Sequence, residues 1–329
     1  MEQNLTRIFT LFGGLALFLY GMDALSHSLE TAAGSRLKSL LAAVTGSPVR
    51  GVLAGAAVTA VLQSSSATTV MVIGFVSAGL MELPQAVAVV FGANVGTTMT
   101  AQLVAFRLAD WVFPILFAGV LVWLLARRER TRQLGLAVFS FGLLFDGIEV
   151  LSGAMAPLAE HPVFLRWMTQ VRHTPLLGLL LGTGMTLVVQ SSSATIAVLQ
   201  RAAQQAGPDG IHSVLGLAGA LPILLGDNIG TTITAVLAAV GQPTDARRTA
   251  AAHCCFNLSG SVVCLLALPW MTRLVEAVSP KGPELEVLAR QIANAHTLFN
   301  LLCTLVWLPL TPVMVRLVCK LVPQPQSSR

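Results

Sequence analysis

Long apolar runs, each broken at a defined place by a short polar cluster, divide this chain. Residues 8–29 form a run long enough for a helix that crosses a bilayer, for which ~20 apolar residues suffice. A short amphipathic piece is expected around Arg36 and Lys38. Next come an apolar run at 51–62, the polar Gln63-Ser64-Ser65-Ser66-Ala67-Thr68 and a second run at 70–81. Neither run can cross alone, so the pattern predicts two half-length helices meeting at a polar tip, a re-entrant hairpin. Such a hairpin is tolerated at membrane depth only where protein surrounds it or water fills the gap. Residues 84–106 can span but are interrupted at Asn94-Val95-Gly96, which predicts a broken helix. Residues 111–126 give a short last span whose following arginines can snorkel.

The same order then returns. Gln190-Ser191-Ser192-Ser193-Ala194-Thr195 repeats the first tip, and Gly226-Asp227-Asn228-Ile229-Gly230-Thr231-Thr232 repeats Gly92-Ala93-Asn94-Val95-Gly96-Thr97-Thr98. The stretch LFLYGMDALS at 17–26 returns as LLFDGIEVLS at 143–152. Gly21 to Gly147 is 126 residues, Gln63 to Gln190 is 127, and Asn94 to Asn228 is 134. The chain is therefore a duplicated unit with an insertion of seven residues near Arg201 to His212 in the second copy. Paired interruptions in the two halves of a membrane protein point to a transporter's binding site.

The expected fold class is all-α and polytopic. The first repeat covers 8–133 and the second 134–275, followed by an additional span within 276–318 and a short cytoplasmic tail at 319–329. The second repeat holds a span at 134–155, a hairpin at 176–203, a broken helix at 214–240 and a span at 249–270; the extra span is expected over 292–318. One crossing, a hairpin with none, and two more crossings make an odd number, so the second repeat must be inverted relative to the first. With the amino terminus outside, Arg36, Lys38, Arg50, Arg127, Arg128, Arg130, Arg132, Arg247, Arg248, Arg316, Lys320 and Arg329 fall on the cytoplasmic side. Arg7, Arg107, Arg166, Arg172, Arg201, Arg273, Lys281 and Arg290 fall outside, and this excess inside supports that orientation and a cytoplasmic carboxy terminus. The two tips then approach the midplane from opposite sides.

Composition agrees: 54% of residues are hydrophobic, 11% are charged, and mean hydropathy is +0.75, too apolar for a soluble domain. Continuous rather than alternating apolar runs argue against a β-barrel. The net charge of +5 forms no basic stripe, so nucleic acid is not an expected partner. The first apolar run recurs inside the chain and belongs to the fold rather than to a cleaved leader. The five cysteines (Cys254, Cys255, Cys264, Cys303 and Cys319) lie in apolar segments without metal-ligand spacing and read as small buried hydrophobes.

The tips and breaks offer hydroxyl, amide and carbonyl oxygens, which suit a hard monovalent cation such as sodium. They also offer N–H groups at half-helix N-termini, where the helix dipole favours an anion. No Lys or Arg sits in these motifs, so a polyanion bound there lacks countercharge unless cations enter with it. That is a physical reason to expect cation coupling. Single serines in membrane helices usually bond back to carbonyls and pack helices, but a duplicated polar tip paired with a duplicated break reads as a site. Gly51, Gly55, Gly178 and Gly182, at four-residue spacing, read as close helix contacts. Four acids fall at membrane depth. Asp23 aligns with Glu149, Asp146 with Tyr20, and Asp227 with Ala93, so Asp227 charges only one half and is the preferred cation ligand. Asp23 and Glu149 read equally as helix-bonding groups. His253 and His296 share a His-x-x-Phe-Asn spacing, for which a helix-packing hydrogen bond fits better than a metal.

The motifs QSSSATT at 63–69, QSSSATI at 190–196, GANVGTT, GDNIGTT and AHCCFNLSG at 252–260 resemble the type II sodium-dependent phosphate cotransporters of animals and their bacterial relatives. The resemblance implies sodium-driven transport of inorganic phosphate by an inner-membrane protein, with a dimer and an elevator-like movement. It implies phosphate binding by Gln63, Ser64, Ser65, Ser66, Gln190, Ser191, Ser192, Ser193, Asn94 and Asn228. It places sodium at Gln63, Ser65, Thr68, Gln190, Ser192 and Thr195, to which the reading of the breaks adds Thr98, Thr232 and Asp227. No cofactor beyond the coupling ion is expected. Two departures stand out. The His-Asp/Gly-x-Phe-Asn element that follows the first break in animal members has no counterpart at 106–114, which bears on stoichiometry. The sequence also runs only to Arg329, without the PhoU-like helical domain of many bacterial relatives, so regulation through that domain is not expected in cis.

Three other readings compete. Net phosphate export, or carriage of another oxyanion, uses the same groups. A channel sits poorly with two inverted halves. An intramembrane hydrolase lacks the serine elbow or paired acids that its chemistry needs.

Overall fold

The computed structural model describes residues 2–33, 39, 41, 47–106, 108–159 and 162–324. Arg36, Lys38, Arg107 and Arg329 therefore lie outside the described residues, as does the last part of the expected tail. Helices make up the architecture, and among the described residues the sole β pairing is an isolated bridge between Ala206 and Ser213. That bridge closes the inserted turn of the second half. There Asp209 accepts from the backbone N–H groups of His212 and Ile211 and from the His212 ring, which holds its carboxyl down at about 2.

Helix α1 (Glu2–Ala33) is the first span. Helices α2 (Pro48–Leu62) and α3 (Ser65–Ser77) form the first hairpin, with Pro48 starting α2 where a missing N–H costs nothing. Helix α4 (Leu83–Val104) follows, then a 3-10 turn (Ala109–Trp111) and α5 (Val112–Leu125). The second half opens with α6 (Glu129–Ala159) and α7 (Pro162–His173), an amphipathic helix that the apolar pattern did not predict. The second hairpin is α8 (Pro175–Val189) and α9 (Ser192–Ala203). Then come α10 (Gly216–Gly230), α11 (Thr232–Ala238), α12 (Thr244–Leu266), α13 (Leu268–Val278), α14 (Glu284–Trp307) and α15 (Thr311–Leu321). Five described stretches are long and apolar enough to cross a membrane, or six if α14 and α15 count as one. The protein is a multi-pass membrane protein.

Glycines decide how the helices meet. A Cβ on Gly55 would collide with the Val89 carbonyl, and one on Gly92 with the Val52 carbonyl, so α2 and α4 run in parallel with backbones touching. The second half repeats this: Gly182 meets the Ile223 carbonyl and Gly226 the Leu179 carbonyl, between α8 and α10. Lipid supplies no hydrophobic drive for helix association, so such van der Waals contact carries the fold. Helices α1 and α6, which hold the duplicated LFLYGMDALS and LLFDGIEVLS, run antiparallel: Gly14 lies against Leu151, and Gly21 against Leu144. Buried apolar side chains fill the centre around α4, α10, α12 and α14, where the Phe91 and Phe256 rings stack at 4.9 Å. Large apolar side chains on the rim, such as Phe113 and Phe117, stay exposed as lipid-facing residues do.

Two expectations are corrected here. Helix α4 is continuous through Asn94-Val95-Gly96, so the first break does not exist. Its polar groups bond back to the helix instead: Asn94 donates to the Val90 carbonyl, Thr97 to Ala93 and Thr98 to Val95, while bare Gly96 admits α2. An interruption occurs only in the second copy, at Thr231 between α10 and α11, downstream of the helix-interior Pro222. The segment 292–318 is not one straight span, because the chain bends by 88° between α14 and α15. Pro309 and Pro312 flank that bend and cannot donate to the preceding turn.

Candidate functional site

Each hairpin tip is built from one unusual backbone geometry. Gln63 has φ 54° and ψ 22°, and Gln190 has φ 54° and ψ 24°; these are the sole non-glycine residues with positive φ among the described residues. The left-handed conformation costs roughly 1–2 kcal/mol for a residue with a side chain. The same strained turn thus recurs at matched positions of both halves. The turn reverses the chain so that Ser64 and Ser191 become N-caps: the Ser64 hydroxyl accepts from the Ala67 N–H at 3.1 Å, and Ser191 from Ala194 at 3.3 Å. Helices α3 and α9 thus begin at Ser65 and Ser192, and their first-turn N–H groups have no intrahelical acceptor.

Both tips open onto one cavity of about 200 Å³. Its walls are Gln63, Ser64, Ser65 and Ser66 from the first tip, Gln190, Ser191, Ser192 and Ser193 from the second, and Met22, Asp23 and Ser26 from α1. A larger apolar groove lies elsewhere, around Trp270 and Trp307, but it brings almost no polar group together and contains none of the tip residues. The hydroxyls of Ser65, Ser192 and Ser193 make no hydrogen bond within the described residues, although all three residues are buried. Ser66 does: Thr234 donates to it at 3.1 Å, tying the first tip to α11 of the other half. Thr100, the counterpart of Thr234, donates instead to Gln63 Oε1 at 2.8 Å, which fixes that amide while Gln190 stays exposed. Ser26 donates to the Leu62 carbonyl and so holds α1 against the first tip.

The cavity has no lysine or arginine in its lining. Its positive character comes from the two helix N-termini, each equivalent to about half an elementary charge. Asp23 is its one formal charge, and that charge is negative.

Of the predicted phosphate ligands, the eight tip residues come together, and Asn94 and Asn228 do not line the cavity. Asn94 is fully engaged, with His253 Nε2 at 3.3 Å and Asn257 Nδ2 at 3.4 Å from its Oδ1, joining α4 to α12. Asn228 donates to the Leu224 carbonyl within its own helix. Thr98 and Thr232 likewise bond back to Val95 and Ile229.

Behind the second tip lies a separate polar chain. Asp227 is fully buried, and the Thr186 hydroxyl donates to its Oδ1 at 2.6 Å and stands 3.1 Å from Thr195. Among the described residues Asp227 Oδ2 has no partner. In the first half Thr59 and Thr68 make the matching pair at 2.9 Å, but Ala93 stands where Asp227 would be. No group of three or more His, Cys, Asp or Glu is placed to hold a metal ion among the described residues. Sequence reasoning named neither Thr59, Thr186, Thr100 nor Thr234, and it left Asp23 and Ser26 without a site. The i, i+3 spacing of Asp23 and Ser26 inside a duplicated stretch was the available signal.

Comparison with known proteins places this geometry in a lineage. The protein YqeW of Bacillus subtilis (strain 168) is 35% identical over 266 residues, covering 81% of this chain and 84% of its own. An Escherichia coli (strain K12) protein named "Putative inorganic phosphate export protein YjbB" is 30% identical over 82% of this chain, which spans 48% of that relative's length. Sodium-dependent phosphate transport protein 2A of Rattus norvegicus is 34% identical over 123 residues, 36% of this chain and 19% of its own. No solved structure matches. The Na+/Pi-cotransporter family matches twice, at 17–153 and 147–282, once for each half. The chain, with its doubled hairpin tips sharing one cavity, belongs to the Na+/Pi-cotransporter family, a family of transporters rather than enzymes.

Proposed function

We propose that this protein is a sodium-coupled transporter of inorganic phosphate that binds the anion between its two hairpin tips. The convergence of both Gln-Ser-Ser-Ser turns on one cavity carries this reading. Unengaged hydroxyls at Ser65, Ser192 and Ser193 and two helix N-termini suit a tetrahedral oxyanion, which accepts many hydrogen bonds. About one elementary charge from two helix ends cannot balance a phosphate of up to two negative charges, so a cation must accompany it. The family and the name of the rat relative agree with sodium as that cation.

Asp227 with Thr186 and Thr195 is the preferred sodium position. A buried carboxylate with one unpartnered oxygen is costly unless a cation joins it. The oxygens of Gln63, Ser65, Thr68, Gln190 and Ser192 complete the candidate cation ligands near the tips. The antiparallel run of α1 and α6, which hold the duplicated sequence, supports inverted repeats with re-entrant hairpins and an elevator-like exchange of access. The family resemblance favours a homodimer in the inner membrane. The name of the Escherichia coli relative favours export as a second reading, since gradients set the direction of a coupled carrier.

Purified protein in proteoliposomes should take up labelled phosphate about tenfold faster or more with sodium outside than with potassium, a coupling equivalent to ~1.4 kcal/mol. Equal rates in the two salts would remove sodium from the mechanism, and absence of phosphate flux in either direction would remove the substrate. Topology has its own check. Single cysteines at Arg128 and Arg166, in a background lacking the five native ones, should label from opposite faces of the membrane. Labelling from one face would contradict the inverted arrangement.

A further inference from the structure

We infer that Asp23 is the residue that brings the coupling cation into direct contact with the bound anion, an inference that rests on the transport reading above. Asp23 lines the cavity shared by both tips, on the same face of α1 as Ser26, which is bonded to the first tip. Its carboxylate has no hydrogen bond or ion pair among the described residues. Asp23 is exposed and sets an unpaired carboxylate beside cavity groups that otherwise suit an anion. Two negative groups in so small a volume repel one another, and a cation held between them relieves that repulsion. A cation held by Asp23 and neighbouring tip oxygens turns this conflict into an ordered requirement: the cation enters first and creates the charge that phosphate needs.

The two halves differ at this point. Glu149, the repeat counterpart of Asp23, is absent from the cavity wall. This cation position is therefore single, without a twin across the pseudo-symmetry. It is also distinct from Asp227, which lies fully buried behind the second tip and does not line the cavity. The chain then offers two cation positions of different character, one shared with the anion and one apart from it.

The test is sodium-dependent phosphate uptake by Asp23→Asn, with Glu149→Gln as the matched control. Asparagine keeps the shape and removes the charge, and Asp23 makes no hydrogen bond for the exchange to break. We expect half-saturating sodium to rise at least tenfold in Asp23→Asn, with phosphate affinity falling only when sodium is limiting. Glu149→Gln should stay within twofold of the unaltered protein, and Asp23→Glu should recover most of the sodium affinity. The proposal is overturned if Asp23→Asn leaves half-saturating sodium unchanged. It is also overturned if phosphate affinity rises at every sodium concentration, because the carboxylate then merely repels the anion. Should Asp23→Asn fail to fold, Asp23→Glu decides: the longer acid must retain sodium-dependent uptake with at most a threefold shift. Failure of the transport reading itself is seen separately, as missing sodium-dependent flux in the unaltered protein.

Discussion

Joint replacement of Ser65 and Ser192 by alanine should reduce phosphate uptake by about a hundredfold or more while leaving the protein folded. Both residues line the shared cavity, and neither hydroxyl makes a hydrogen bond within the described residues, so removing it breaks no bond in the fold. A hydrogen bond to a charged group is worth roughly 1.5–3 kcal/mol, and two such bonds lost together make two to four orders of magnitude. Uptake and melting temperature measured on the same preparation separate the two possibilities. Flux within twofold of normal would mean that these serines serve helix packing alone. The neighbouring caps give the contrasting result. Ser64→Ala and Ser191→Ala each remove a helix cap and should cost about 1 kcal/mol of stability, visible in the melting temperature itself.

Alanine at Gly182 should be among the most damaging small substitutions in the chain, and alanine two residues on at Gly184 should be harmless. A methyl group at Gly182 meets the Ile223 carbonyl carbon at 2.8 Å and the Asp227 N–H at 3.0 Å, with the carbonyl oxygen closer still. Those atoms are backbone and cannot rotate away, so α8 and α10 must separate along their length. Overpacking of this kind costs typically 1–3 kcal/mol and more when backbones must shift. It would also draw the second hairpin, which carries Thr186, away from Asp227 on α10. At Gly184 nothing lies within 4 Å, and alanine gains about 1 kcal/mol of helix propensity over glycine. Thermal unfolding in detergent should show a large loss for Gly182→Ala and none for Gly184→Ala. Equal melting temperatures would show that the α8–α10 contact is looser than its geometry. The matching substitution in the first half, Gly55→Ala, should repeat the effect because the Val89 carbonyl occupies the same place.

Much of this molecule was legible in its sequence because the relevant signals are local. Apolar runs report which segments can enter lipid. The duplicated Gln-Ser-Ser-Ser fixed the turn positions of both hairpins, since a polar sextet between two short apolar runs leaves few alternatives. Four-residue glycine spacing foretold backbone contact at Gly55 and Gly182, because small residues on one face allow close approach whatever helix lies opposite.

Other features were decided only when helices met. The sequence Asn94-Val95-Gly96 reads as a break, yet α4 passes through it intact, because Asn94 is engaged by His253 and Asn257 from α12. Asp23 and Glu149 are equivalent in the repeat, yet only Asp23 lines the cavity. Asp227 adjoins the second interruption but lies sealed against Thr186, away from the cavity wall. In a soluble protein the apolar stripe of a helix marks its inner face. In lipid both faces are apolar, so sequence pattern carries little about rotation. Rotation is set by which glycine meets which carbonyl across the bundle, and that decides which of several similar polar groups faces the site.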